Sequence, residues 1–377
     1  MTHAFFAGTG AGTPSSRPHR LEYIDGLRGL AIAMVVLYHA FARWPDSYPY
    51  KSIFAQYAIF DTRITGVQLF FIISGFVIVM TLEKSGSFMS FLFKRWIRLF
   101  PAMLACSLII IGTAFLFPER PAGAPNLTQV IPGLTFLSPA TLRVLTGGLF
   151  AGDTIEGAFW SLFLEVRFYL IFGTLFFIFG RRVALVSLLA IYLLALAVLM
   201  LTDADGLFHF AALVRYEDSV ARGVAALGFG EFIWFFAGAL YFEYTCTGKR
   251  AVLAAAFGSS LLGALASGQP IGASLFIIFV FLGAVLIPAI GKLLCLSPFQ
   301  FIGFISYPLY LVHENMMVAM ITKIGRAFPF TPHLLIPLLP IASVVALGYV
   351  VARWVEPPTR TAIHQLLTRF GNTPLMV

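Results

Sequence analysis

Four reactive side chains lie inside stretches of the sequence that are otherwise apolar: His39, Ser74, Glu165 and His313. Such groups are costly within a membrane and mark a functional site by default. A neutral imidazole can take the proton from a hydroxyl as that hydroxyl attacks a thioester, and a nearby carboxylate would stabilise the resulting imidazolium. The residues therefore predict acyl transfer to a hydroxyl, with His39 as the general base and Glu165 or His313 as its partner.

A second reactive set is cationic and includes Arg28, Arg95 and Arg98. Arg95 and Arg98 are three residues apart, so they share one face of a helix. Guanidinium groups suit bidentate binding of phosphate. Coenzyme A carries phosphates at one end and its thioester at the end of a long arm, so acyl-CoA would use both sets. We expect Asp25 to hold Arg28 in place, and a direct catalytic role for Asp25 is the alternative.

The composition indicates that membrane helices must position these residues. The sequence is 59% hydrophobic and 11% charged, with a mean hydropathy of +0.89, whereas a soluble domain carries about 25% charged residues. Only helices or closed barrels satisfy their backbone groups in a bilayer. The apolar stretches are continuous and lack strand-like alternation, so we predict an all-α polytopic membrane helix bundle.

About ten transmembrane helices are expected, because each crossing needs about 20 mostly apolar residues. The fourth and fifth spans are separated only by the short basic turn Gly180-Arg181-Arg182. The predicted spans are 27–44, 65–82, 99–117, 159–179, 183–202, 228–244, 251–267, 271–289, 301–321 and 335–354.

The distribution of Lys and Arg predicts that both termini lie in the cytosol. With the N-terminus inside, more of the 25 basic residues fall in cytosolic segments than in outer ones, as membrane proteins prefer. On this topology the four reactive residues share one depth, at or just outside the midplane of the membrane. This agreement favours one buried polar cavity that is reached from outside.

We expect one membrane domain, residues 21–360, between a disordered cytosolic tail at 1–20 and a second cytosolic tail at 361–377. The loops 118–158 and 203–227 would lie outside, where they fit either the handling of an outer partner or a structural cover. The second of these loops carries the acidic residues Asp203, Asp205, Glu217 and Asp218.

The remaining composition argues against several other classes of site. The net charge of +8 is spread over turns, so we attribute it to topology and to contact with membrane lipids rather than to nucleic acid. No metal site is expected, because the cysteines show neither a pairing pattern nor metal-ligand spacing. They are Cys106, Cys246 and Cys295.

The sequence resembles the acyltransferase family 3 membrane proteins, which O-acylate bacterial surface polysaccharides, O-antigens and Nod factors. The resemblance covers about residues 21–360. Each motif is weak alone, but six in the same order at plausible spacing are specific. The motifs are Asp25-Gly26-Leu27-Arg28-Gly29 with His39; Phe70-Phe71 with Ser74-Gly75-Phe76; Arg95 and Arg98 before Pro101; Trp160-Ser161-Leu162 with Glu165; Phe168-Tyr169; and Ser306-Tyr307 with Tyr310-Leu311 and His313.

The resemblance implies ten core helices in a bacterial inner membrane protein, a cytosolic acyl-CoA donor (acetyl-CoA is expected), and a glycan or lipid-linked saccharide acceptor outside. No tightly bound cofactor is expected. Some relatives carry a fused outer hydrolase-like domain, which we do not expect here, so transfer alone and transfer with a periplasmic acyltransferase partner both stay open. The residues that we expect to bind substrate are Ser74, Trp160, Ser161, Tyr169, Ser306, Tyr307 and Tyr310.

Each candidate also has a structural interpretation. His39 and His313 fit histidines that bond neighbouring helices, and Glu165 fits a partner of His313 or Arg167. Small residues favour close helix packing in membranes, which would explain Ser74 beside Gly75. The remaining alternatives are interface aromatics for Trp160 and Tyr169 and lipid-phosphate contacts for Arg95 and Arg98.

Two other functions compete with O-acyl transfer. Intramembrane His, Glu and Arg also suit a transporter or flippase of an acyl group or lipid-linked glycan, although no internal repeat supports this class. A glycan polymerase or ligase would also be polytopic with large outer loops. Such an enzyme would be expected to concentrate arginines on the outer side, where those of this chain are scattered.

Overall fold

The structure is a computed structural model that describes residues 22–203 and 227–370. All regular structure in these residues is helical, without strands, which confirms the predicted all-α class. The helices are α1 (Glu22–Phe41), α2 (Thr65–Glu83), α3 (Phe88–Thr113), α4 (Val130–Thr135), α5 (Pro139–Leu145), α6 (Trp160–Asp203), α7 (Phe232–Thr247), α8 (Arg250–Ala266), α9 (Ile271–Leu286), α10 (Pro288–Leu294), α11 (Ser297–Val312), α12 (Asn315–Ala327), α13 (Leu338–Val350) and α14 (Glu356–Phe370).

Several sequence predictions fall wholly or partly outside the described residues. The tail 1–20 and nearly all of the loop 203–227, with its acidic residues Asp205, Glu217 and Asp218, belong to this group. So does the end of the tail 361–377, although α14 continues into that segment as far as Phe370.

Five helices in the described ranges are long and apolar enough to cross a membrane, and α9 with α10 adds a sixth if this pair, bent by 109°, is one span. The protein is therefore a membrane protein, while the count of ten spans and the direction of insertion stay predictions. The five are Glu22–Phe41, Thr65–Glu83, Phe88–Leu116, Gly157–Met200 and Leu338–Ile363.

Helix α6 contains the predicted fourth and fifth spans in one run of 44 residues. The run is kinked at Gly180, whose φ of 82° and ψ of 169° are not helical. A left-handed φ favours glycine, so the predicted turn at this residue is present as a kink. The two halves of α6 correspond to 159–179 and 183–202.

The predicted span 301–321 is not one continuous helix, and the structure corrects this prediction. Helix α11 ends at Val312, and α12 begins at Asn315. Between them Glu314 has a non-helical ψ of −83°. The backbone N–H of Asn315 donates to a carboxylate oxygen of Glu156 at 3.1 Å, which supplies the partner that a broken helix leaves missing.

Glycines allow the helices that carry the candidate residues to pack backbone against backbone. A Cβ added at Gly75 in α2 would collide with the carbonyl oxygen of Phe235 in α7. One added at Gly303 in α11 would collide with the carbonyl oxygen of Asp25 in α1. Small residues at such contacts are the usual means of close packing in membranes, and the structural interpretation of Gly75 is confirmed.

We expect Gly75→Ala to destabilise the bundle, because the new methyl group would meet rigid backbone rather than a movable side chain. Overpacking of this kind costs about 1–3 kcal/mol. The loss should appear as a lower unfolding temperature of the detergent-purified protein, measured by circular dichroism.

The matched control is Gly258→Ala in α8, where nothing lies within 4 Å of the added Cβ. Replacing a helical glycine by alanine in open space stabilises a helix by up to about 1 kcal/mol. Equal shifts for the two variants would contradict the close approach of α2 and α7.

Candidate active site

A narrow cavity of about 90 Å³, here called the neck, brings together most of the predicted site residues. It runs between residues of α1, α2, α3, α6 and α11. Its polar lining is formed by Arg28, Ser74, Arg95, Arg98, Ser161, Glu165, Tyr169, Ser306, Tyr307 and Tyr310, and its apolar lining by Phe70, Phe71, Ile73, Val77, Leu99 and Leu162.

Glu165 is held inside the neck by two hydroxyl groups. Ser74 Oγ donates to Glu165 Oε1 at 2.5 Å, and the Tyr169 hydroxyl donates to the same oxygen. The suggested pairing of Glu165 with Arg167 is not seen among the described contacts, and the Arg167 guanidinium donates instead to the carbonyl of Leu227. The suggested pairing with His313 is likewise not seen among the described contacts of Glu165. A serine hydroxyl has one proton, so in this conformation Ser74 donates its only hydrogen bond to Glu165.

A larger cavity of about 890 Å³, here called the basic cavity, adjoins the neck. Both cavities are lined by Arg28, Arg95 and Arg98, which make the connection between them strongly cationic. Lys84 and Lys94 also line the basic cavity. The predicted clustering of these cations at one end of the bundle is therefore present.

The three arginines differ in how they are held. Arg28 Nη1 donates to Asp25 Oδ1 at 2.7 Å, as expected if Asp25 holds Arg28 in place. Arg95 is buried, donates to Thr81 Oγ1, and lies 5.5 Å from the centre of the Tyr169 ring. Arg98 is exposed at the cavity, so it is the most available of the three for a ligand.

His39 faces the Glu314 carboxylate, which was not among the partners predicted from the sequence. Its Nε2 atom lies 3.7 Å from Glu314 Oε1, while its Nδ1 lies 2.9 Å from the carbonyl oxygen of Val35. A carbonyl only accepts, so Nδ1 carries the hydrogen and Nε2 of the neutral ring presents its lone pair. The described contacts of Glu165 do not include His39.

His313 lies against His39, and the ring centres are 4.7 Å apart in an edge-on arrangement. His313 Nδ1 lies 2.8 Å from the carbonyl oxygen of Tyr310, and its Nε2 has no hydrogen-bond partner in the described part of the chain. The predicted single cavity for the four reactive residues is therefore only partly present: the two histidines lie together, whereas Ser74 and Glu165 line the neck, whose lining includes neither histidine. Tyr310 lies between His313 and the neck, with a ring separation from His313 of 5.5 Å.

A short turn before α6 holds Glu314 in place. The N–H of Ala158 donates to Glu314 Oε2 at 2.7 Å. A Cβ on Gly157 would come within 3.1 and 3.2 Å of the two carboxylate oxygens of Glu314, so glycine allows the close approach. The Tyr310 hydroxyl donates to the Ala158 carbonyl at 2.7 Å and lies 2.7 Å from Ser161 Oγ.

A third cavity of about 580 Å³, here called the groove, is lined in part by Gly157 of this turn. Trp160 lines the groove rather than the neck, and it is 37% exposed. Carboxylates, hydroxyls and one guanidinium line the groove beside the indole. The groove is lined by Ile64, Ser138, Pro139, Asp153, Thr154, Gly157, Trp160, Phe163, Leu164, Arg167, Gly228 and Glu231.

Four buried polar residues near the histidines were not predicted from the sequence. Glu314 follows His313 directly, but in a continuous helix adjacent residues point about 100° apart, so the pair was not expected on one side. The other three, Arg120, Glu156 and Asn315, had no local pattern to mark them. Burial and the neighbouring Glu314 carboxylate raise the pKa of Glu156, while Arg120 and the Asn315 donors lower it. The described residues contain no group of three or more potential metal ligands.

The family model described as an acyltransferase domain matches residues 21–353, which is most of the chain. An O-acetyl transferase of Shigella phage Sf6 is 30% identical over 164 residues, which are 41% of this chain and 46% of that protein. Nodulation protein 10 of Rhizobium leguminosarum bv. viciae is 27% identical over 177 residues, which are 43% and 45% of the two chains. The chain thus spans less than half the length of either relative, and no solved structure matches it.

Proposed function

The chain belongs to the acyltransferase family whose domain it carries, and from this premise we propose that it is a membrane O-acyltransferase. It moves an acyl group, most simply acetyl, from cytosolic acyl-CoA to a hydroxyl of a periplasmic or cell-surface glycan. We place it in a bacterial inner membrane with both termini in the cytosol. The observation that carries the proposal is the continuity of a cationic cavity with a narrow neck whose lining residue Tyr310 lies 5.5 Å from His313, the neighbour of His39.

The donor would bind from the basic cavity. Its phosphates would meet Arg98, Lys84 and Lys94, which line that cavity, and its arm would enter the neck. A single water needs about 10–15 Å³ of such space, so the neck of about 90 Å³ has room for the end of the arm and a small acyl group. This volume favours acetyl over a long acyl chain.

The acceptor would bind from the groove, whose lining includes Gly157 of the turn that holds Glu314. Carboxylates accept hydrogen bonds from sugar hydroxyls, and Asp153 and Glu231 both line the groove. The exposed indole of Trp160 offers a flat apolar surface for a sugar ring. Gly157 lines the groove and also lies against Glu314. Only this glycine would therefore separate an acceptor at that point of the groove from the Glu314 carboxylate.

The reaction would proceed by general base catalysis. His39 Nε2 takes the proton of the acceptor hydroxyl as its oxygen attacks the thioester carbonyl, and the Glu314 carboxylate stabilises the imidazolium. The carbon–sulfur bond then breaks, and the proton passes to the leaving thiolate. The products are the O-acyl glycan and free coenzyme A.

Labelled acetyl-CoA supplied to inside-out vesicles tests this function. Wild-type protein should transfer label to an envelope glycan, and His39→Ala should not. We expect Glu314→Gln to lower kcat by about 10²–10⁴-fold, because the imidazolium loses its counter-charge, and to leave the KM for acetyl-CoA nearly unchanged. Equal labelling by well-inserted His39→Ala would refute the base assignment, and unlabelled glycan with intact glycan flux in wild type would favour transport.

A second prediction concerns the donor. Arg98→Ala should raise the KM for acetyl-CoA by roughly 10–100-fold, because a charge-assisted hydrogen bond contributes about 1.5–3 kcal/mol. The matched control is Lys249→Ala with Arg250→Ala, an exposed basic pair that lines none of the three cavities. Equal losses in both proteins would reduce Arg98 to a topology or lipid contact.

A third prediction concerns the acceptor. Trp160→Ala should raise the KM for the glycan by roughly 5–150-fold, since stacking on an aromatic ring contributes on the order of 1–3 kcal/mol in other ligands, and should leave the KM for acetyl-CoA unchanged. Trp354, which is 61% exposed and lines none of the three cavities, provides the control Trp354→Ala. An unchanged glycan KM in Trp160→Ala would exclude the groove as the acceptor site.

A further inference from the structure

Arg120, Glu156 and Asn315 form a buried polar cluster that lines none of the three cavities, here called the Glu156 cluster. The exposed fractions of these residues are 6%, 1% and 1%. Arg120 Nη2 lies 3.2 Å from Glu156 Oε1, and Asn315 donates to Glu156 Oε2 from its side-chain amide at 2.6 Å and from its backbone N–H at 3.1 Å. The carboxylate is therefore bonded on both oxygens.

The cluster ties the two ends of the segment 118–158 to the first residue of α12. At one end, the N–H of Ala122 donates to Asn315 Oδ1 at 2.9 Å. The other end is held by Arg120, which donates to the carbonyl of Ile155 at 2.9 Å. Asn315 is thus held through its backbone N–H and both atoms of its side-chain amide group, so its position is fixed by residues far away in the sequence.

Glu314 lies directly beside this fixed point. It precedes Asn315 in the chain, and its own carboxylate is bonded to Ala158, two residues after Glu156. The break between α11 and α12 is therefore held by two contacts. The backbone N–H of Asn315 donates to Glu156, and the side chain of Glu314 accepts from the turn that follows Glu156. Both holds come from one short stretch of chain.

A buried ionic cluster contributes little net stability to a fold, because removing charges from water costs several kcal/mol per ion. Well-packed apolar residues often serve equally well there. Hydrogen bonds differ from apolar contacts in their fixed direction and length. Such a cluster is therefore suited to setting a position, and the group beside it is the carboxylate that faces His39.

We propose that Glu156, supported by Arg120 and Asn315, is a positioning residue that sets the Glu314 carboxylate at its distance from His39 Nε2. The inference rests on the proposed function, in which Glu314 acts through His39. Glu156 has no described contact with His39, so its effect on the reaction passes through the break at Glu314.

A double-mutant cycle tests the inference, using Glu156→Gln, Glu314→Gln and the pair of changes in the full-length protein. Residues that act through one another give non-additive effects, commonly by 0.5–3 kcal/mol. Glu156→Gln alone should lower kcat by roughly tenfold without changing the KM for acetyl-CoA. In the Glu314→Gln background the same change should have little further effect, because the group it positions is already gone.

The matched control is Thr322→Val, which removes another buried hydrogen bond of α12, from Thr322 Oγ1 to the carbonyl of Ser47 at 2.7 Å. This variant should lower thermal stability and leave kcat unchanged. Asn315→Ala supplies a second probe of the cluster if Glu156→Gln does not fold. An equal loss of kcat from Glu156→Gln in both backgrounds would overturn the inference in favour of a general structural role.

A readout that does not need acyl transfer separates this inference from the proposed function. The rate at which diethyl pyrocarbonate modifies His39, followed by mass spectrometry, depends on the carboxylate beside the ring. Glu156→Gln should shift this rate in the same direction as Glu314→Gln. A rate equal to that of wild type would overturn the inference, whereas absent acyl transfer by wild type would refute only the proposed function.

Discussion

The absence of water from the hydrocarbon core governs this molecule, because a polar group there must find its partner within the protein. The candidate residues accordingly occur in bonded sets rather than singly. Arg28 is paired with Asp25, and Glu165 accepts from two hydroxyls. His39 faces a carboxylate whose own hydrogen bond comes from a backbone N–H. These contacts also fix the geometry of the residues that make them. The exceptions among the candidate residues are His313 Nε2 and Arg95 Nε, which have no hydrogen-bond partner in the described part of the chain.

Close packing supplies the frame on which these sets are held. The glycine contact of α2 with α7 lies beside Ser74, and that of α11 with α1 lies at Asp25. Helices that meet backbone to backbone cannot slide without collision, so the residues that they carry keep their relative heights. Phe71, which lines the neck, stacks on Phe235 of α7 with ring centres 4.6 Å apart, so this part of the neck wall is anchored to α7.

The sequence was sufficient to predict the long helices, because a continuous apolar stretch is a local property that each segment carries with it. Together with the family resemblance, it also named most of the polar residues that line the neck. It was not sufficient for Glu314. At the break beside this residue, the backbone N–H of Asn315 donates to Glu156, which lies more than 150 residues earlier, and no local pattern encodes such a contact. Trp160 shows the same limit, since its place in the groove depends on how residues before α6 fold back. The span count and the direction of insertion rest on charge and length, and they stay predictions.

The position of the Tyr310 side chain bears on whether protons could leak through the protein across the membrane. Suppose that a cytosolic ligand entered from one face and an external ligand from the other. If both used one continuous water-filled passage, protons would leak through it and dissipate the proton gradient. The neck and the groove share no lining residue. Tyr310, bonded to the Ala158 carbonyl, lies between the neck and His313. In this conformation a bonded aromatic ring lies at the neck beside His313, and under the proposed function it would let the two ligands react without an open water path between the two cavities.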